Sequence, residues 1–235
     1  MSDLTRVIAE NLAEVRGRIA EAAARAGRGG DAIKLVAVTK YVGEDEIRAL
    51  VAAGCTTLGE NRPQALCKRA ETFRDLQIQW HMIGHLQRNK VRRVAPLVTM
   101  IESVDSPSLL EAIDRIAGEL GRRVPVLLEV NISGESQKHG LAPDHLPPLA
   151  QTLDNYPHVE VLGLMAMASL AGGEDRARAD FAALRELRDR ARRDCPAGVS
   201  LDELSIGMSG DFETAVEEGA TIVRIGSALF EGTDR

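Results

Sequence analysis

The stretch Lys34-Leu-Val-Ala-Val-Thr-Lys40, followed by a helical pattern from about Glu44 to Ala53, sets the fold class of this chain. The short β-branched run reads as a strand, and its handover to a helix is the first unit of a repeating pattern. Further strand candidates lie near 57–61, 79–84, 98–104, 125–131, 160–168, 201–208 and 222–229. Helical spacing falls between them, most clearly at 106–120, 142–155, 174–193 and 211–219. Strands separated by helices, with no series of hairpin turns, indicate parallel βαβ units. Eight such units match a closed α/β architecture, a single (β/α)8 TIM-type barrel, better than an open sheet; a doubly wound sheet is the alternative. Upstream, Leu4, Val7, Ile8, Leu12, Val15 and Ile19 are spaced for one helical face. That predicts an extra N-terminal helix over residues 3–26, ended by Gly27 and the Gly29-Gly30 pair.

A barrel of this type needs about 250 residues, so the 235 present are read as one domain spanning 1–235. No Pro/Gly/Ser-rich linker divides the chain, and the last strand candidate ends close to Arg235. The balance is globular, with 44% hydrophobic and 27% charged residues. A net charge of −6 and only seven aromatics (one Trp, two Tyr, four Phe) argue against nucleic acid as a partner. Cys55, Cys67 and Cys195 form no CxxC pair, and their odd number suits a reducing compartment. Charges begin at Asp3, Arg6 and Glu10, before any apolar run, so no signal peptide is expected. The apolar stretch Val161–Ala171 is too short to span a bilayer. A cytoplasmic, soluble, monomeric protein is the expectation.

In such a barrel, function collects on the loops after the strands. Lysine is scarce: Lys34, Lys40, Lys68, Lys90 and Lys138 stand against 24 arginines. Only Lys40 and Lys138 lie at or beyond the C-terminal end of a strand. Lys40 shares strand parity with Val36 and Val38 and is expected to point inward. Desolvation there favours a neutral amine, the form that attacks an aldehyde. A solvated strand-end lysine is the other reading of the same position. Downstream, Ser205-Ile-Gly-Met-Ser-Gly-Asp-Phe212 runs from strand seven into a helix, placing Ser209, Gly210 and Asp211 at its start. Helix N-termini suit anions. Val223-Arg-Ile-Gly-Ser227 then ends strand eight: Gly226 permits close backbone approach, Ser227 offers a hydroxyl, and Arg224 brings a fixed charge. The loops after strands seven and eight are a frequent phosphate site of this fold, although each piece alone also reads as a cap or a packing glycine. Strand eight neighbours strand one in a closed barrel, so a phosphate held there lies near Lys40. A ligand carrying a phosphate and an aldehyde fits, and pyridoxal phosphate is the biological candidate.

Other motifs are weaker. His81 and His85 in Trp80-His-Met-Ile-Gly-His-Leu-Gln87 are four apart, but the segment reads as strand then loop, and no Glu follows the first His. A structural or barrel-mouth role is expected rather than a metal. Asn61, closing Gly59-Glu-Asn61, is placed within reach of a ligand ring or in a turn. Glu102 and Glu129 fall within strands and are read as part of a polar barrel interior. Lys138, in Ser133-Gly-Glu-Ser-Gln-Lys-His-Gly140, is expected to be a mobile surface lysine.

Taken together, Val36-Ala-Val-Thr-Lys40, Gly59-Glu-Asn61, Trp80 to Gln87, Ile101-Glu-Ser-Val-Asp105, Val130-Asn-Ile-Ser133, Leu164-Met-Ala166, Gly207-Met-Ser-Gly-Asp-Phe-Glu213 and Arg224-Ile-Gly226 resemble the pyridoxal phosphate homeostasis protein family. The likeness runs in order from about residue 34 to 230. It implies a fold similar to the barrel domain of bacterial alanine racemase, and pyridoxal 5'-phosphate held as a Schiff base on Lys40. It also implies phosphate contacts at Ser209, Arg224, Gly226 and Ser227. Family members are regarded as cofactor carriers or regulators of vitamin B6 balance without established catalysis. Transient contact with enzymes that use the cofactor is implied as well. One departure is confined to the first loop, where Tyr41-Val42-Gly43 stands in place of the family's frequent Thr-Lys-Pro. The candidate cofactor-binding set is therefore Lys40, Asn61, Met208, Ser209, Arg224, Gly226 and Ser227, with no catalytic or metal-ligating residue assigned. Two alternatives use the same imine chemistry: an amino-acid racemase or related enzyme, and a Schiff-base aldolase. The aldolase reading wants a lysine on strand six, and residues 160–168 have none.

Overall fold

The computed structural model describes residues 2–169 and 171–233; Leu170, within the apolar stretch noted above, lies outside them. Eight parallel strands close into a barrel in chain order: β1 (Lys34–Val38), β2 (Thr57–Glu60), β3 (Gln79–Met82), β4 (Met100–Val104), β5 (Val124–Glu129), β6 (Val159–Met165), β7 (Glu203–Ser205) and β8 (Ile222–Ile225). β8 pairs directly with β1, in the register Val36 to Arg224 and Ala37 to Ile225. The helices are α1 (Asp3–Arg25), α2 (Glu44–Ala52), α3 (Pro63–Thr72), α4 (Val91–Val94), α5 (Pro107–Glu119), α6 (Leu146–Ala150), α7 (Gly173–Ala191) and α8 (Phe212–Glu217).

Strand alternation sorts side chains into two cores. Val36, Met100, Leu127, Met165 and Ile222 pack together in one cluster, and the larger cluster, which includes Ala37, Val126, Leu128, Val223 and Ile225, takes in the buried helix faces. Arg224 shares parity with Ile222, and Glu129 with Leu127, so both belong to the inner set together with Glu102.

Among the described residues β8 is followed by a 3₁₀ turn, Ser227–Phe230. The place an eighth outer helix would take is filled by α1, which packs against α2, α8 and that turn. Ser2 caps α1 by accepting from the Thr5 amide at 3.2 Å, and Ile8, Leu12, Val15 and Ile19 form its buried stripe. Arg18 donates to Glu213 and Arg25 to Glu217, each at 2.7 Å, which ties α1 to α8. The N-terminal helix is thus part of the ring rather than an appendage.

The structure departs from the sequence expectation between β5 and β6. In place of one helix over 142–155 there are two 3₁₀ turns, Pro143–His145 and Leu153–Asn155, flanking the short α6. Pro147 and Pro148 supply no amide hydrogens, so a helix begun at 142 cannot run through them, and they fall instead in the first turn of α6, where proline is tolerated. Strands six, seven and eight also end sooner than the apolar runs suggest, at Met165, Ser205 and Ile225, and Met208, Gly226 and Ser227, beyond the last two, line the barrel mouth.

Candidate functional site

At its C-terminal end the β8/β1 seam opens into a pocket of about 370 Å³, a size suited to a small ligand. The loop after β1 contributes Lys40, Tyr41 and Val42, the loop after β7 contributes Met208, Ser209 and Gly210, and β8 with its turn contributes Arg224, Gly226, Ser227 and Phe230. Six of the seven residues singled out from the sequence therefore come together. Asn61 does not line this pocket. It sits beyond β2 with its Oδ1 buried and without a hydrogen-bond partner.

The two glycine-bearing loops are joined by Ser209, whose Oγ accepts from the Gly226 amide at 3.2 Å and the Ala228 amide at 3.4 Å. The amides of Ser209 and Gly210 have no partner among the described residues. Gly226 has a φ of −118°, outside the left-handed region, and a Cβ there would meet only Val38, at an ordinary 3.5 Å. Around Gly210 nothing lies within 4 Å. Neither backbone strain nor packing explains the missing side chains, whereas room for a ligand against the backbone does. The helix start lies where the sequence places it, with Asp211 as the N-cap of α8, but Asp211 turns its Oδ1 back onto the Met208 amide at 2.6 Å. Loop amides and serine hydroxyls, not a helix end, are the donors available here.

Arg224 also differs from its expected part. It lines the pocket but is only 4% exposed. Its Nη1 donates to the Ser205 carbonyl at 2.7 Å and to Ser205 Oγ at 2.6 Å, and its Nη2 donates to the Ala166 carbonyl at 2.9 Å. Ser205 Oγ in turn donates to Glu102 Oε2 at 2.5 Å, while His81 Nδ1 lies 2.6 Å from Glu102 Oε1. Both terminal nitrogens are engaged by the barrel interior, so Arg224 sets a fixed positive charge in the pocket floor. Burial lowers its pKa, against the pull of Glu102, Glu129 and Asp211. Burial opposes ionisation of Glu102, yet the His81 hydrogen bond and charge, with Arg224 and Ser205, hold it below the usual carboxylate range.

Lys40 lines the pocket two residues past the end of β1, and it is exposed, not desolvated as its parity suggested. Its Nζ sits 5.0 Å from the centre of the Tyr41 ring. Its backbone is fixed by residues that carried no signal in the sequence. Arg69, on α3, donates to the Thr39 carbonyl and, at 2.7 Å, to the Val42 carbonyl, so it grips the chain on both sides of Lys40. The Arg69 charge is balanced at 2.5 Å by Glu60, whose other oxygen accepts from the Asn61 amide at 2.8 Å. Nothing marks Arg69 among the 24 arginines, since its partners lie on other elements.

Lys138 is not the mobile surface lysine expected. Its side chain is 11% exposed and donates to the Ala168 carbonyl at 2.6 Å and to Ser133 Oγ at 3.2 Å, with Glu135 at 3.1 Å.

The model of the alanine racemase N-terminal domain family matches residues 10–234. A pyridoxal phosphate homeostasis protein of Aquifex aeolicus is 42% identical over 221 residues, covering 94% of this chain and 96% of its own. One from Pseudomonas aeruginosa is also 42% identical, over 97% of this chain and 96% of its own. Among solved structures, PipY of Synechococcus elongatus with PLP bound superposes with a TM-score of 0.84 at 36% identity, covering 95% of this chain and 99% of its own. Alanine racemase from Streptomyces lavendulae, at 20% identity and a TM-score of 0.75, shares the fold over 57% of its length.

Proposed function

Because this chain belongs to the pyridoxal phosphate homeostasis protein family, with the barrel of the alanine racemase N-terminal domain, we propose that it binds pyridoxal 5'-phosphate in the β8/β1 pocket for storage or delivery. The observation that carries this reading is the meeting of a lysine with a serine- and glycine-built set of amides in one small pocket. The hydroxyls of Ser209 and Ser227 and the unpartnered amides of Ser209 and Gly210 would hold the phosphate end, between the backbones of Met208 and Gly226, and Arg224 would lie beneath the ring as a fixed charge. When bound, the cofactor supplies an aldehyde that condenses with the Lys40 amine, forming a C=N bond with loss of water. Lys40 is open to solvent, so water has access for the reverse step. That suits a carrier better than an enzyme, which gains from excluding water. We read residues 1–235 as one functional unit, monomeric and cytoplasmic, which meets recipient enzymes only in passing. Among the described residues no helix is long and apolar enough to cross a membrane.

The test is to mix the purified chain with pyridoxal phosphate, reduce with borohydride and locate the added mass by peptide mapping. The adduct is expected on Lys40 and is expected to vanish in Lys40→Ala. Modification of other lysines with Lys40 untouched overturns the reading. Turnover of L-alanine at about 1–1000 per second would overturn the carrier assignment in favour of an enzyme.

A further inference from the structure

A second constellation lies across the barrel mouth from the pocket. Three consecutive strand-to-helix junctions bring His85 (after β3), Asp105 (after β4) and His139 (after β5) together, and one ligand atom from each lies within 4.8 Å of the others. His85 Nδ1 is 2.9 Å from Asp105 Oδ2, and the two imidazoles stack with centroids 4.2 Å apart. We propose that His85, Asp105 and His139 form a binding site for a divalent transition cation of the zinc type, with an open position facing solvent.

Donor chemistry selects the ion class. Two imidazoles and one carboxylate suit zinc, cobalt, nickel or copper, whereas magnesium and calcium prefer all-oxygen shells. Bonds of about 2.1 Å to a tetrahedral ion place donors roughly 3.4 Å apart. The His85 to Asp105 spacing is already near that, and a small rotation of the His139 ring closes the rest. Both histidines are exposed, so the rings have room to turn, and the remaining coordination position is left to water.

The backbone beneath the three ligands is held on every side. Next to His85, a Cβ on Gly84 would clash with the Asn61 carbonyl oxygen, and Ser103 Oγ donates to the Gly84 carbonyl at 2.6 Å. Asp105 follows directly on β4, and its second oxygen accepts from Ser106 Oγ at 3.0 Å, which orients the carboxylate. His139 stands between Lys138, pinned by three polar contacts, and Gly140. The latter has a φ of 122°, and a Cβ there would meet the Asn131 nitrogen at 2.6 Å. The backbone that carries the three ligands is thus fixed and Ser106 orients the carboxylate, whereas the two stacked, exposed rings would take their final orientation from the ion. The sequence spacing pairs the wrong histidines: His81 points inward to Glu102, and only the fold brings His85 to His139.

The test is calorimetric titration of the tag-free full chain with Zn²⁺, repeated with Co²⁺ to read its absorption spectrum. One Zn²⁺ per chain is expected, weakened by at least about 10-fold in His139→Ala and in Asp105→Asn. It is expected to be retained in His139→Asp, which keeps a ligand, and in Lys40→Ala, which leaves this side of the mouth intact. Unchanged melting of the exposed His139→Ala variant shows that the loss is of a ligand and not of the fold. Absence of saturable binding overturns the proposal. So does full affinity in a His85→Ala/His139→Ala double variant, or thiolate charge-transfer bands with Co²⁺ that place the ion on Cys67 or Cys195.

Discussion

Arg69→Met is the substitution whose consequence the structure defines most fully. The guanidinium that is lost holds the carbonyls of Thr39 and Val42 and the carboxylate of Glu60, and the Glu60 side chain is 1% exposed against 19% for Arg69. Removing one partner of a buried pair strands the other charge, typically at 3–5 kcal/mol. Since Arg69 keeps some contact with water and Glu60 keeps the Asn61 amide, about 3 kcal/mol is the expectation. For a chain of this size that corresponds to roughly 6–12 °C in Tm. The double variant Arg69→Met/Glu60→Gln removes the stranded charge and is expected to recover about 1–2 kcal/mol relative to Arg69→Met. Both follow from urea denaturation monitored by fluorescence of Trp80. Cofactor affinity is expected to fall about 10-fold in Arg69→Met, or 1.4 kcal/mol, because the chain on either side of Lys40 loses its clasp. A single variant within about 0.5 kcal/mol of wild type, or a double variant no more stable than the single, would refute the reasoning.

In Ser209→Ala, the amides of Gly226 and Ala228 lose their shared acceptor. A stability loss of about 1 kcal/mol and a drop of about 10-fold in pyridoxal phosphate affinity are expected from denaturation and equilibrium dialysis. Glu129 should give the chain a distinct pH response. Burial, helped by Asp105 and opposed by Arg224 and His85, raises its pKa from the ordinary 4.5 to about 7. The native carboxyl then keeps its proton where the unfolded one has lost it. Stability from this group is therefore complete below about pH 4.5, declines by about 3 kcal/mol as pH climbs to about 7, and is flat beyond. Denaturation midpoints at about pH 5 and about pH 8 should differ more for wild type than for Glu129→Gln, and equal differences would count against the raised value.

The barrel was legible because its signal is local and repeated: apolar runs such as Leu35 to Val38 alternate with helical spacing, and each needs only its own neighbours to be read. The lysine and the glycine–serine loops were legible for a related reason, since strand order alone brings the ends of β7, β8 and β1 together. What stayed hidden depends on side-chain partners far away in the chain. Arg224 reads as a free cation until Ser205 and Ala166 are seen to hold it. Lys138 reads as surface until the Ala168 carbonyl is found over it. Lys40 was expected inside because parity was carried past Val38, where the strand stops. Over 142–155 the leucine spacing predicts one helix, and Pro147 and Pro148 allow a helical start only at Leu146.

The placement of α1 between α2 and α8 bears on how the chain is made. α1 packs its apolar stripe against α8 and the turn after β8, and Asn11 donates to the Glu231 carbonyl, 220 residues further along, at 2.9 Å. Contacts spanning nearly the whole polypeptide form late and slowly. A nascent chain arrested before β8 would carry Lys40 but neither Gly226 nor Ser227, and would leave Ile8, Leu12 and Val15 open to chaperones. Cofactor uptake should therefore begin only once β8 and the turn after it have been made.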